Sequence, residues 1–220
     1  MTERIIAACD GACKGNPGPA AWAWVVAGAD GEVASWEAGP LGRATNNVAE
    51  LTALLRLLEA TDPAVPLEVR MDSQYAMKAV TTWLPGWRRK GWKTASGSPV
   101  ANRDLVAAID ALLTGRDVRF VHTPAHRVDG DPLNAAADAA AGQAAATQRP
   151  AGSAAGSELP PPDTRERSKA PRRPRAATAS RGAVRAKFPG RCRCGSPYAK
   201  GETITRNDAG WGHPACAAAP

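Results

Sequence analysis

No apolar run in the 220 residues approaches the roughly 18 needed to cross a bilayer, which argues against a membrane-spanning chain. The opening MTERIIAACDG has no basic stretch leading into an apolar core, so it lacks the layout of an export signal and predicts a cytoplasmic protein. Cysteine is scarce: five residues, an odd number, too few for a disulfide scaffold and expected to be reduced or metal-bound. No internal repeat is present, which excludes solenoid and collagen-like architectures. Between Arg149 and Lys187 there is no aromatic residue at all. Acidic residues are also sparse toward the end. After Ala146 there are 5 against 14 basic residues, whereas residues 1–146 carry 16 acidic and 14 basic ones. The overall charge of +7 therefore belongs to the tail, and the front is balanced like an ordinary globular domain.

Composition divides the chain into three pieces. Residues 1–146 hold six of the seven tryptophans and most of the periodic apolar pattern. Residues 147–187, rich in Pro, Ala, Ser and Arg, cannot bury enough apolar surface to offset their ordering entropy and are expected to form a disordered basic linker. Aromatic and cysteine residues return in a short module at 188–220.

Within the first piece, Arg4–Cys9 is a short apolar strand followed by a glycine- and proline-rich turn. Ala21–Ala27 and Glu32–Glu37 are strands joined by Asp30-Gly31, a strong hairpin signal. Leu51, Leu54, Leu55 and Leu58 recur at helical spacing. Leu67–Met71 and Val118–His122 read as strands, and Gln74–Val80, Asn102–Leu113 and Asn134–Ala146 as helices. This order predicts an α/β domain with a five-stranded mixed sheet flanked by helices.

Four acids stand where an acid is costly. Asp10 and Asp72 each end an apolar strand, the position from which an open α/β sheet presents groups to a crevice. Glu50 opens the leucine helix, and Asp138 lies four residues after Asn134 on one helical face. Each has a plainer reading alone: Asn47-x-x-Glu50 as a capping box, Asp72-Ser73 as a helix cap, Asp10 as a turn residue, Asp138 as a solvated charge.

Taken with their neighbours, these acids resemble the bacterial type 1 ribonuclease H family (ribonuclease HI). The segments that carry the likeness are DGACKGNPGPAAW from Asp10, TNNVAEL from Thr45, DSQY from Asp72, WLPGWRRKGWKTASGSPVANRDL from Trp83, and NAAAD from Asn134 after His126. They fall in order over about two-thirds of the chain. The resemblance implies a ribonuclease H-like fold and a Mg²⁺-dependent endonuclease, with Mn²⁺ as an alternative, that cuts the RNA strand of RNA·DNA hybrids. It makes Asp10, Glu50, Asp72 and Asp138 the ligands of two ions and gives His126 a part in proton movement or product departure. The segment between His126 and Asp138 is about two residues longer than in the family, and it contains Asp129 and Asp131. His122, in a strand that reads as buried, is a rival for the histidine's part. Two other functions stay open at this level, a non-catalytic hybrid-binding protein of the same fold and a strand-transfer enzyme of the wider nuclease superfamily.

The same likeness implies the hybrid-reading residues. Hybrids differ from DNA duplex in 2′-hydroxyls and groove shape, which short amides read well. Cys13, Asn16, Asn46, Asn47, Gln74 and Asn134 take this part, and Thr45 resembles a residue that holds a DNA phosphate. The stretch TWLPGWRRKGWK resembles a basic protrusion, in which Trp87, Arg88, Arg89 and Lys90 are the expected contacts.

The tail carries a separate pattern. Cys192-x-Cys194 and His213-x-x-Cys216 supply four soft or borderline donors in two close pairs, which fits a structural zinc site. A module of this size needs such a staple because its apolar core is too small. The basic linker and module suggest a further nucleic-acid or protein contact on a chain expected to be monomeric.

Overall fold

The computed structural model describes residues 4–124, 130–162, 184–192, 194–207 and 210–216. The chain divides into two compact units, Met1–Glu166 and Arg167–Pro220.

The first unit is built on strands β1 (Ile5–Cys13), β2 (Gly18–Ala27), β3 (Val33–Ala44), β4 (Leu67–Met71), β5 (Val118–His122) and β6 (Ala151–Gly152). Their order across the sheet is β5-β4-β1-β2-β3-β6. The β1-β2-β3 meander is antiparallel, while β4 and β5 run parallel to β1, as the strand–helix order predicts. The sheet thus has six strands instead of the expected five. The extra strand lies inside the segment read as linker, where Ala151 and Gly152 pair with Ala38 and Glu37. The Trp36 amide donates to Ser153 Oγ at 3.0 Å, and Leu159 packs under the same edge.

Helices α1 (Asn46–Ala60) and α4 (Arg103–Leu113) cover one face, burying Leu51, Leu54, Leu57, Val106 and Ile109 against Ala7, Cys9 and Val69. Helix α5 (Pro132–Thr147) covers the other with a run of buried alanines against Ala8, Ala21, Ala23 and Val25. Between β4 and α4 the chain forms α2 (Gln74–Lys78), a wide π-turn at Ala79–Trp83, and α3 (Leu84–Arg89). The alternation along β1 sends Cys9 toward α1 and Ala8 toward α5.

The second unit contains a three-stranded antiparallel sheet, β7 (Val184–Arg185), β10 (Thr203–Asn207) and β11 (Gly210–Gly212), in the order β11-β10-β7. A two-stranded ribbon, β8 (Gly190–Arg191) with β9 (Pro197–Tyr198), and a 3₁₀ turn at Pro214–Cys216 complete it. Among the described residues, Val184 and Arg185 already pair with Ile204 and Thr203, ahead of the expected Phe188.

Candidate functional site

Asp10 does not end its strand. β1 continues to Cys13 because β2 pairs with it throughout, setting Asp10 opposite Ala23. On its other edge β1 pairs with β4 only as far as Ala8 opposite Arg70. Beyond that point the sheet opens, and Asp10 lies at the mouth of the opening, 5 % exposed. Asp72, just past β4, stands across the gap.

Glu50 enters from α1. The helix starts at Asn46, with Thr45 as its cap, the hydroxyl accepting from the Val48 amide at 3.3 Å. Glu50 is therefore neither a capping-box partner of Asn47 nor in the first turn; it lies on the second turn with its side chain turned inward. Gly11 lets the helix come this close. A Cβ there would lie 2.2 Å from the Glu50 amide nitrogen and 2.3 Å from the Ala49 carbonyl carbon. Ser73 caps α2 by accepting from the Ala76 amide, so Asp72 is not needed as a cap.

The result is a cluster in which ligand oxygens of Asp10, Glu50 and Asp72 lie within 4.8 Å of one another. Asp138, half-buried on α5, adds its field to Asp10. Burial, then repulsion from Glu50, Asp72 and Asp138, raises the Asp10 carboxyl well above the usual range, opposed by the Gly11 amide. Glu50 is pushed up to about 8 by burial and by Asp72, against hydrogen bonds from Asn46, Gly11 and Ser73. The neighbouring Cys9 thiol is also raised, mainly by burial and then by Glu50. Among the described residues Glu50 Oε2 is buried without a hydrogen-bond partner. Clustered carboxylates with an unsatisfied oxygen need protons or a cation, and an all-oxygen donor set suits a hard divalent ion.

Of the hybrid-reading candidates, Cys13, Asn16, Asn46 and Asn47 lie around the α1 start, whereas Gln74 opens α2 and Asn134 lies in α5. Asn16 Oδ1 accepts from the Asn46 amide at 3.2 Å, and the Cys13 thiol donates to the Ala44 carbonyl at 3.3 Å, tying the end of β1 to this corner. Asn46 Nδ2 donates to Glu50 Oε1 at 3.1 Å, so this side chain serves the acidic cluster. Asn47 and Gln74 are exposed, whereas Asn134 is buried, with an unpartnered Oδ1 among the described residues. His126 lies outside the described residues. His122 is exposed at the end of β5, not buried as its strand position suggested.

In the protrusion, Tyr75, Trp83 and Trp87 form an aromatic ladder with centroid separations of 5.9 and 5.6 Å. Trp87 and Trp92 pack on the domain core. Arg88 is held in a two-pronged ion pair with Asp110 of α4, so its guanidinium anchors the protrusion instead of facing outward alone. Arg89 and Lys90 are exposed.

The second unit brings Cys192, Cys194, His213 and Cys216 together, with ligand atoms within 4.8 Å of one another. Cys194 Sγ lies 3.6 Å from His213 Nδ1, and Tyr198 packs edge-on against the imidazole at 6.2 Å. The Ser196 amide draws the Cys194 thiol down to about 7, while Cys194 and Cys192 push Cys216 up to about 11.

Sequence reading missed Gly11, Asp110 and the partner of Asp131; the Asp72-Ser73 cap that it named is made by Ser73. Gly11 lies in the DGACKGNP run, and its place beside the acid was the available signal. The others act through pairings that sequence spacing does not show.

Residues 2–146 match the family described as RNase H. The ribonuclease HI of Streptomyces coelicolor is 65 % identical over 225 residues, covering 98 % of this chain and 97 % of its own, so that likeness runs through the tail. The ribonuclease H of Tropheryma whipplei is 42 % identical over 144 residues, covering 65 % of this chain and 85 % of its own. LC9-RNase H1, a type 1 RNase H with the type 2 active-site motif, shares the fold. It has a TM-score of 0.56 at 23 % identity, over 69 % of this chain and 76 % of that one.

Proposed function

The chain belongs to the ribonuclease H family, and from that membership we propose an endonuclease that hydrolyses the RNA strand of RNA·DNA hybrids, leaving 5′-phosphate and 3′-hydroxyl ends. One observation carries the reading, the convergence of the Asp10, Glu50 and Asp72 carboxylates within 4.8 Å at the opening of the sheet.

Two Mg²⁺ ions, or Mn²⁺ in their place, fit this donor set. Asp10, Glu50, Asp72 and Asp138 would hold them. Bound there, such ions would supply activation of a water and charge stabilisation at the departing 3′-oxygen. The protein's own part is to hold the acids ready. Asn46 fixes the Glu50 carboxylate through Oε1, and charge repulsion keeps the cluster primed for a cation. His126 takes the proton-moving or product-releasing part. Cys13, Asn16, Asn47 and Gln74 would follow the hybrid's groove, with Thr45 at a DNA-strand phosphate. Trp87, Arg89 and Lys90 would meet the backbone, with Arg88 steadying them through Asp110. Asn134, being buried, supports the start of α5 more directly than it meets substrate.

The tail reads as a basic tether leading to a module stapled by zinc on Cys192, Cys194, His213 and Cys216, since three thiols and an imidazole suit that ion. We place the protein in the cytoplasm as a monomer; no helix among the described residues is long and apolar enough to cross a membrane.

The test is cleavage of labelled RNA·DNA hybrid, double-stranded DNA and double-stranded RNA, with and without Mg²⁺. Cutting of the hybrid's RNA strand alone, and only with the cation, is expected. Hybrid binding with no turnover in either Mg²⁺ or Mn²⁺ would leave the non-catalytic alternative standing.

A further inference from the structure

Four large apolar side chains stand exposed among the described residues, and three of them belong to the small second unit: Val184, Phe188 and Trp211 at 44 %, 77 % and 42 %. A unit this small does not leave its aromatics outside for lack of an interior. It has one, since Ile204, Ala186 and Cys192 are buried.

Strand register decides what lies beside Trp211. In an antiparallel pair, directly opposed residues project from the same face. Trp211 on β11 is opposite Arg206 on β10, and Ile204, two residues back from Arg206, is opposite Val184 on β7. Val184, Ile204, Arg206 and Trp211 therefore share one face; Ile204 is covered within it, and the cross-strand neighbours Arg206 and Trp211 are its exposed pair at the β10–β11 end. Residues 184–216 contain six basic and two acidic residues, and Lys187 and Lys200 are also exposed.

We propose that this face of the C-terminal sheet is a second nucleic-acid site that binds unpaired strand, with a base stacked on Trp211 and the adjoining phosphate held by Arg206. A flat aromatic ring next to a guanidinium suits a polyanion that also offers π-faces. A duplex hides its base faces between neighbouring pairs, so the ring gains its full contact only on single-stranded bases. The strand displaced beside a hybrid has this chemistry. An acidic protein partner would satisfy the cations but would give the exposed indole no such stacking partner.

The proposal goes beyond the hydrolysis reading and does not need it, because single-stranded DNA is not a substrate of that reaction. It does rest on the module's metal staple, so zinc content is measured on every sample. The experiment uses the zinc-loaded full chain and fluorescein-labelled oligo(dT) of about 16 nucleotides, read by anisotropy at low salt. Trp211→Ala should weaken oligo(dT) binding about tenfold, as expected for removal of one base stack, and Trp211→Phe should keep most of it. Arg206→Gln should weaken binding and lower its salt dependence. Strand binding should quench tryptophan emission in the wild type and much less in Trp211→Phe. Affinity for blunt double-stranded DNA of the same length, and the rate of hybrid cleavage, should be unchanged by Trp211→Ala. If Trp211→Ala loses zinc, Trp211→Phe and Arg206→Gln decide the question. Wild-type oligo(dT) affinity in zinc-loaded Trp211→Ala or Arg206→Gln overturns the proposal, as does an equal loss of duplex DNA binding in Trp211→Ala, which would show no preference for unpaired bases. If Trp211→Ala instead abolishes self-association seen by sedimentation and leaves strand binding intact, the face is a protein contact and the proposal fails.

Discussion

Arg70 on β4 donates to Asp131 Oδ2 at 2.7 Å, while the other oxygen of Asp131 accepts the Asn134 amide at 2.9 Å as the cap of α5. One carboxylate thus joins the strand that leads into Asp72 to the helix that carries Asp138. Both side chains are largely shielded, at 26 % and 16 % exposure, so the pair is worth more than a surface contact. Asp131, part of the longer segment between His126 and Asp138, sets where α5 begins. Asp131→Ala should cost about 1–2 kcal/mol through removal of the cap and the ion pair, measured by urea unfolding. Arg70→Ala should cost less stability. Both variants should need more Mg²⁺ for half-maximal cleavage. An unchanged Mg²⁺ dependence in both would limit the pair to stability.

Asp72→Asn should abolish cleavage while leaving hybrid binding largely intact, because the amide keeps the shape of the carboxylate and removes its charge from the site. Gel-shift and turnover assays on the same preparation separate the two effects. Wild-type turnover in Mg²⁺ would remove Asp72 from the site.

The acidic cluster predicts a pH effect with a definite sign. Glu50 is pushed up to about 8 in the folded protein from an ordinary value of 4.5, and Asp10 is raised as well. An acid held above its unfolded value binds its proton more tightly when folded. Its stabilising effect is full below the unfolded value and is lost as pH rises through the folded one. With EDTA present, the protein should therefore lose stability between about pH 4.5 and about 8. Thermal melts across that range should show the decline in wild type, less of it in Glu50→Gln, and partial recovery on adding Mg²⁺.

Gly11→Ala should be far more damaging than its size suggests. The added carbon would meet the α1 backbone at 2.2 Å, and backbone cannot swing aside as a side chain can. The helix must retreat, which should cost about 3 kcal/mol and pull Glu50 away from Asp10. A melting temperature and a turnover rate close to wild type would show that the helix tolerates the shift.

Much of this was legible in the sequence, for identifiable reasons. Leu67–Met71 and Val118–His122 are short apolar runs with clear stops, and both strands have the expected bounds. Asp10 and Gly11 look like a turn, so the continuation of β1 to Cys13 was hidden; β2 pairing sustains it, and pairing is not a local signal. Thr45 caps α1 although Asn47 offered a tidier pattern. The Arg88–Asp110 pair crosses from the protrusion to α4, where no periodicity points. Strand β6 is only Ala-Gly within a segment of linker composition, held by backbone bonds that any residue makes.

That sixth strand changes where the nuclease can be cut. Every proposed catalytic and hybrid-reading residue lies before Ala146, so chains ending at 146 and at 162 should both cleave hybrids. The shorter one lacks the β6 pairing to Glu37 and Ala38, the Ser153 bond to the Trp36 amide, and the packing of Leu159. It should be less stable by about 2 kcal/mol, most of it from apolar burial, and should aggregate more readily through the bared edge of β3. Neither truncated form keeps the basic tether. Against the full chain, both should bind hybrid more weakly at low salt, with the salt-dependence slope reduced by roughly 0.9 for each phosphate that the tether no longer neutralises. Urea unfolding compares the two truncations, and a salt series of hybrid binding compares both with the full chain. Equal stability of the two cuts would make β6 incidental to the fold. Equal binding by all three forms across the salt series would remove the tether from substrate attachment.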